Sequence, residues 1–209
     1  MKKPWVEMSI RDFQSALASS SPTPGGGTAA AIALGQAAAL SIMVCDLTIG
    51  SEKWKDGWVI SEKLLPISIE IMTNSARLAD EDSDSFDAVM NSFKMPKESE
   101  EEKESRRQEI RKNTLVAAKV PMETAELALE LLNHLPDLAK YGNKNAISDV
   151  GVCSLLASAA CKGALFNVKI NLSSLPEGYA EDLENKALQV MEECRLISRK
   201  IMDIVNDNL

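Results

Sequence analysis

The chain has 209 residues, enough to bury a full core in one large domain or two small ones. Its formal charge is −8, from 23 Lys and Arg against 31 Asp and Glu, and the cations are scattered along the chain. That balance excludes a polyanion surface such as nucleic acid, which needs a clustered basic footprint, more firmly than it excludes a small anion.

In chain order, Met1-Lys2-Lys3-Pro4-Trp5 begins basic but lacks the apolar run of a signal peptide, so the expectation is a cytoplasmic protein. Ser9 to Ser19 reads as a first helix opened by Ser9-x-x-Asp12, a capping box with Asp in place of Glu. It ends at Ser20-Ser21-Pro22-Thr23-Pro24-Gly25-Gly26-Gly27. An Ala-rich helix follows from about Thr28 to Ile49, and its small residues Ala31, Gly35 and Ala38 let another helix approach closely. The segment Ala29 to Cys45 is apolar apart from Gln36 and Ser41. It is dominated by alanine and runs into Asp46, so it reads as a central buried helix rather than a membrane span of about 20 strongly apolar residues.

After a polar connection, Gly50 to Gly57, a long helix is expected from Val59 to Phe93. Its apolar stripe is Leu64, Ile67, Ile71, Ser75, Leu78, Asp82, Phe86, Val89 and Phe93, with Pro66 starting or kinking it. Lys97 to Lys112 holds six acidic and six basic residues and reads as the solvated start of the next helix. Leu115 to Leu132 continues apolar, with Pro121 marking a kink or a new first turn. His134, before Leu135-Pro136, reads as a helix-end residue. A loop through Tyr141-Gly142-Asn143 leads to a helix from about Asn145 to Ile170. The last helix, Tyr179 to Val205, has the stripe Leu183, Ala187, Val190, Cys194, Ile197, Ile201, Ile204. With no alternating β-branched run and no internal linker, the expectation is an all-α protein. It would be a single-domain antiparallel helical bundle over residues 1–209.

Cys45, Cys153, Cys161 and Cys194 form no C-x-x-C pair, and three lie in apolar helical patterns. Neither a disulfide framework nor a zinc site beside a lone histidine is expected, and no metal is called for. The candidates for chemistry are polar residues where a bundle would not want them. Gly25, Gly26 and Gly27 precede a helix whose free N–H groups suit a carbonyl, carboxylate or phosphate, and the alternative is a plain turn. Asp82 sits on the apolar stripe between Leu78 and Phe86, where a carboxylate must be paired, hydrogen-bonded or protonated. A structural cap or ion pair is the other account of it. Asp149 lies in the first turn of its helix, where the dipole favours its charge. Asn167 shares its face five turns on, with Asn171 one turn further. Asp149 and Asn167 are roughly 27 Å apart along the helix, so they serve different jobs unless a partner subunit brings them together.

The same residues carry a family resemblance. Pro22-Thr23-Pro24-Gly25-Gly26-Gly27, Leu47-Thr48-Ile49-Gly50, Asp82-x-x-x-Phe86 and Met95-Pro96-Lys97 form successive blocks. Gly142-Asn143, Ala146-Ile147-Ser148-Asp149-Val150-Gly151-Val152 and Gly163-Ala164-x-x-Asn167-Val168-x-Ile170-Asn171 continue them. In this order the set resembles the cyclodeaminase/cyclohydrolase family of tetrahydrofolate enzymes. The resemblance implies an all-helical fold, a homodimer or higher assembly, and action on the one-carbon group between N5 and N10 of tetrahydrofolate. Two activities occur there, methenyltetrahydrofolate cyclohydrolase and formiminotetrahydrofolate cyclodeaminase, and two of the blocks look closer to the stand-alone cyclohydrolases. On this reading Asp82 and Asp149 supply acid/base and electrostatic work. Asn143, Ser148, Asn167 and Asn171 hold the pterin or its bridging carbon, and the triglycine admits the ligand. No bound cofactor is expected beyond the folate substrate, and neither nucleic acid nor membrane is an expected partner. The reading of another class is a non-catalytic helical dimer or adaptor.

Overall fold

The structure, a computed structural model, describes residues 3–209. Among the described residues there are six α-helices, three short 3-10 segments and no strand. The α-helices are α1 (Ile10–Leu17), α2 (Gly26–Ile49), α3 (Trp58–Phe93), α4 (Glu100–Tyr141), α5 (Ile147–Leu172) and α6 (Glu181–Asn206).

Helices α2 to α5 form a ring in which each packs on the next and α5 returns to α2, while α6 covers the groove between α4 and α5. Cross-helix contacts fix the register. Along α2 and α3 the pairs are Thr28 with Ser83, Gly35 with Ser75, and Ser41 with Ser68. Along α2 and α5 they are Ala30 with Gly163 and Ala37 with Cys153. One number rises as the other falls, so these neighbours are antiparallel. The small residues of α2 act as expected: a Cβ at Gly35 would lie 2.7 Å from the Ser75 hydroxyl. One core, built around Leu34, Leu64, Ile71, Leu131, Leu135, Val150, Val168 and Ile201, runs through all five long helices. A smaller cluster holds the N-terminal strap, where Trp5 packs on Leu78 and Ala79 and meets Phe13 edge to face at 6.2 Å.

Local signals hold at most ends. Ser9 caps α1, accepting from the Asp12 amide at 3.1 Å. Ser99 and Glu102 form a reciprocal capping box at the start of α4. Trp58 donates its indole N–H to the Thr48 and Ser51 carbonyls at the end of α2.

Three expectations are corrected. Gly26 and Gly27 belong to the first turn of α2, with Gly25 as its N-cap, rather than to a preceding loop. Pro121 neither ends nor begins a helix: α4 continues through it and through Pro136 for 42 residues, which also places His134 inside the helix. Both prolines are buried, and packing of α4 against four other helices offsets a lost backbone bond worth about 3 kcal/mol. The α3 stripe holds through Leu78 and then rotates, leaving Phe86 and Phe93 exposed while Ser83, Ser85 and Ser92 turn inward.

By length and composition α2 and the segment Lys144–Leu172 could each cross a membrane, but about half of each is buried against the other helices. Both lack an apolar side and a polar side. Their outward faces are apolar too, with Met43 and Leu47 exposed on α2, and Val152, Leu155, Phe166 and Ile170 exposed on α5.

Candidate functional site

The antiparallel register gathers six of the nine expected site residues, Gly25, Gly26, Gly27, Asp82, Asn167 and Asn171, at one end of the bundle. The N-terminus of α2 arrives there beside Asp82 of α3 and Asn167 of α5. Asp82 is half-buried, and its Oδ2 accepts the Thr28 hydroxyl at 2.9 Å. The carboxylate also accepts the Thr28 backbone N–H. A carboxylate from α3 therefore caps α2, whose own N-cap, Gly25, has no side chain to do so. Burial pushes the Asp82 carboxyl above the usual aspartate range, while the two Thr28 bonds hold it back. A carboxyl so placed takes up and keeps a proton more readily than a solvated one does.

The glycines owe their place to space rather than to unusual torsions. None of Gly25, Gly26 and Gly27 has a positive φ. A Cβ at Gly27 would lie 2.6 Å from Asp82 Cγ and 2.7 Å from Oδ2, so any side chain there expels the carboxylate. At Gly26 the nearest atom is the Asn167 amide nitrogen at 3.7 Å, an ordinary contact. Gly26 is exposed, so the site opens outward there. Asn167 donates to the Gly163 carbonyl at 2.9 Å. One turn on, Asn171 donates to the Ala117 carbonyl at 2.8 Å and ties α5 to α4.

Three residues of this network were not singled out from the sequence. The Trp5 indole donates to Ser83 Oγ at 3.0 Å, Ser83 lies 3.0 Å from Thr28 Oγ1, and Thr28 reaches Asp82. Only Thr28, following three glycines at the start of a helix, carried a visible signal.

The remaining candidates lie at the other end of the bundle. Asn143 accepts the Asn145 amide at 2.9 Å and donates to the Leu47 carbonyl at 3.2 Å, and its backbone N–H meets Thr48 Oγ1. Its side chain joins the α4–α5 turn to the end of α2. Ser148 is exposed and Asp149 half-buried in the first turn of α5. Since α5 runs unbroken from Ile147 to Leu172, a single chain does not bring Asp149 to Asp82.

Two cavities open at the Asp82 end, and Asp82 lines neither. One, of about 530 Å³, lies between α5 and α6 beside Phe166, Leu172, Tyr179 and Leu188. The other, of about 570 Å³, lies between the start of α4 and the segment after α5.

The all-helical bundle thus seats a carboxylate on a glycine-opened helix N-terminus, with amides on the neighbouring helix. The sequence profile described as formiminotransferase-cyclodeaminase matches residues 9–204. A methenyltetrahydrofolate cyclohydrolase from Methylorubrum extorquens is 34% identical over 96% of this chain and 97% of its own length. The chain belongs to the formiminotransferase-cyclodeaminase family. A formimidoyltransferase-cyclodeaminase from Rattus norvegicus is 28% identical over 91% of this chain, which spans only 35% of that longer protein. The crystal structure of a formiminotetrahydrofolate cyclodeaminase from Thermotoga maritima superposes with a TM-score of 0.81 at 27% identity, covering 98% of this chain and 96% of that one. The fold is that of the family, and membership in a family of enzymes sets aside the non-catalytic adaptor.

Proposed function

We propose that this protein is a methenyltetrahydrofolate cyclohydrolase, adding water to 5,10-methenyltetrahydrofolate to give 10-formyltetrahydrofolate. The observation that carries the reading is Asp82, a half-buried carboxylate with a raised proton affinity, held in place by Thr28 and open to solvent past Gly26. Its support from kinship is the full-length similarity to a protein of that name. Water attacks the cationic carbon between N5 and N10 as Asp82 takes one of its protons. The tetrahedral carbon then breaks its bond to N5, which receives a proton from Asp82, and the hydroxyl loses its proton to become the formyl oxygen. One proton is released overall, and no electrons are transferred, so the reaction calls for no redox cofactor. The negative carboxylate also stabilises the cationic carbon before attack. Asn167 offers an amide oxygen to the pterin beside it, and the residues 1–209 act as one unit.

A second copy completes this site. Helices α2 and α5 are apolar on both sides although half of each faces outward, the signature of a surface that another chain covers. A twofold axis perpendicular to α5 sets the Asp82 end of one copy against the Asp149 end of the other. That arrangement gives Asp149, Ser148 and Asn143 a way to serve the same folate. Four free, buried cysteines accord with a cytoplasmic enzyme.

The second reading, formiminotetrahydrofolate cyclodeaminase, is favoured by the similarity to the Thermotoga maritima protein. Both reactions pass through a tetrahedral carbon bonded to N5 and N10, so one site suits either. The deciding experiment follows loss of the methenyltetrahydrofolate chromophore against its spontaneous rate, then repeats the assay with formiminotetrahydrofolate. Enzyme-dependent hydrolysis lost in Asp82→Asn is the expected result. Acceleration with formiminotetrahydrofolate alone moves the assignment to the cyclodeaminase.

A further inference from the structure

The hydrogen bonds that lead from the N-terminal strap to Asp82 run in one direction only. The Trp5 indole nitrogen lies 3.0 Å from Ser83 Oγ, Ser83 Oγ lies 3.0 Å from Thr28 Oγ1, and Thr28 Oγ1 lies 2.9 Å from Asp82 Oδ2. An indole N–H only donates, an ionised carboxylate only accepts, and a hydroxyl has a single proton to give. Thr28 therefore donates to Asp82 and accepts from Ser83, which accepts from Trp5. Ser83 and Thr28 are wholly buried and Trp5 nearly so, which keeps water from competing for these bonds and lets each polarise the next. The order cannot reverse, because the indole nitrogen cannot accept. Trp5 is itself fastened to α3 and to the strap: its backbone N–H donates to Asp80 Oδ1 at 3.0 Å, and its ring meets Phe13 edge to face.

The two carboxylate oxygens of Asp82 are unequal as a result. A proton on Oδ2 would meet the Thr28 proton between the same two atoms, so the carboxyl carries its proton on Oδ1. Oδ1 is the carboxylate atom nearest the space that a Cβ would fill at Gly27, beside the exposed Gly26. We propose that Thr28, Ser83 and Trp5 are positioning residues of the reaction, a one-way chain that keeps Asp82 Oδ2 as an acceptor and leaves Oδ1 as the atom that takes the proton from water and returns it to N5. The proposal rests on the folate reading of the site. Among the described residues no second charged group governs the Asp82 carboxyl, which burial pushes up and the Thr28 hydroxyl and backbone N–H pull down. Asp80 is turned to the Trp5 backbone, Glu7, Asp84 and Asp87 are exposed, and α5 offers the neutral Asn167. Ionisation of Asp82 is therefore felt at the Trp5 indole through two hydroxyls, and loss of either hydroxyl cuts the connection.

The test begins without substrate, on the isotope-labelled full-length protein. Of its three tryptophan indole N–H resonances, that of Trp5 is the one missing in Trp5→Phe. It is expected to shift with pH around a midpoint above the ordinary aspartate value of about 4, and to stop shifting in Asp82→Asn and in Thr28→Val. Thr28→Ser, which restores the hydroxyl, should restore the shift. Ser83→Ala cuts the chain one bond further away and serves where Thr28→Val does not fold. A Trp5 resonance that ignores pH in wild type, or that titrates equally in Thr28→Val or Ser83→Ala, overturns the proposal. Kinetics then use whichever of the two folates the wild type turns over. Thr28→Val should lower kcat about 10- to 100-fold and Trp5→Phe about 2- to 10-fold, with KM unchanged and with Thr28→Ser near wild type. Wild-type kcat in folded Thr28→Val and Trp5→Phe overturns the positioning role and leaves the folate reading standing. A titrating indole in a wild type that turns over neither folate supports the chain and overturns the reaction assigned to Asp82.

Discussion

The two ends of the bundle place an aspartate in the first turn of a helix in different ways. Asp149 sits on the helix it belongs to, so its position follows from the local sequence alone. Asp82 sits on the first turn of a helix 54 residues away, and reaches it only because α2 and α3 pack in one register. A local carboxylate is a common helix-dipole partner. A carboxylate brought from another helix, into a place where a glycine must clear the space, is a feature the fold has to maintain. On the proposed mechanism, that contrast favours the Asp82 end for the chemistry and gives Asp149 a part only through a second copy.

The largest effect expected from testing this contrast is that of Gly27→Ala. The added methyl occupies the carboxylate's position, so turnover should fall by at least two orders of magnitude, with an overpacking cost of about 1–3 kcal/mol by chemical denaturation. Gly26→Ala, one residue earlier, meets only an ordinary contact and should keep most activity. Equal losses at both positions would remove Asp82 from the explanation.

Next is Asp82→Asn, expected to lower kcat about 10²–10⁴-fold with little change in KM. Asp149→Asn should also be impaired, and mixing the two variants provides the sharper result. Random exchange makes half the dimers mixed, each with one intact site, so about a quarter of wild-type activity should return. No recovery after verified subunit exchange confines the site to one chain. Phe166→Asp, on the exposed face of α5, should lower the sedimentation coefficient from dimer to monomer and reduce activity with it.

A smaller effect concerns pH. Because the folded-state pKa of Asp82 is raised, its stabilising contribution is fully present below the ordinary aspartate value near pH 4. It is lost as pH rises through the folded value and the buried group ionises. Asp82→Asn does not titrate, so its Tm should gain on wild type as pH rises from about 4 to 7. If the Tm of Asp82→Asn minus that of wild type falls over that range instead, the charge on the α2 N-terminus outweighs burial.

The helices were legible in the sequence because the 3.6-residue period survives in α6, because α2 and α5 are long apolar runs rich in small residues, and because the cap at Ser9 is local. Asp82 stood out because it interrupted an apolar stripe. Thr28, Ser83 and Trp5 did not, since their bonds depend on inter-helix register, which no local pattern encodes. The continuity of α4 was hidden by Pro121, whose local cost is offset by burial between helices.

The absent side chain at position 27 also constrains how this protein can evolve. Any residue larger than glycine there collides with Asp82, so positions 27 and 82 are an epistatic pair. A lineage could accept alanine at 27 only after a smaller residue had replaced Asp82, and on the mechanism above that step abolishes activity. Gain of a better helix former at the start of α2, worth about 1 kcal/mol, lies across a fitness valley. Relatives that had lost catalysis would be the ones free to cross it.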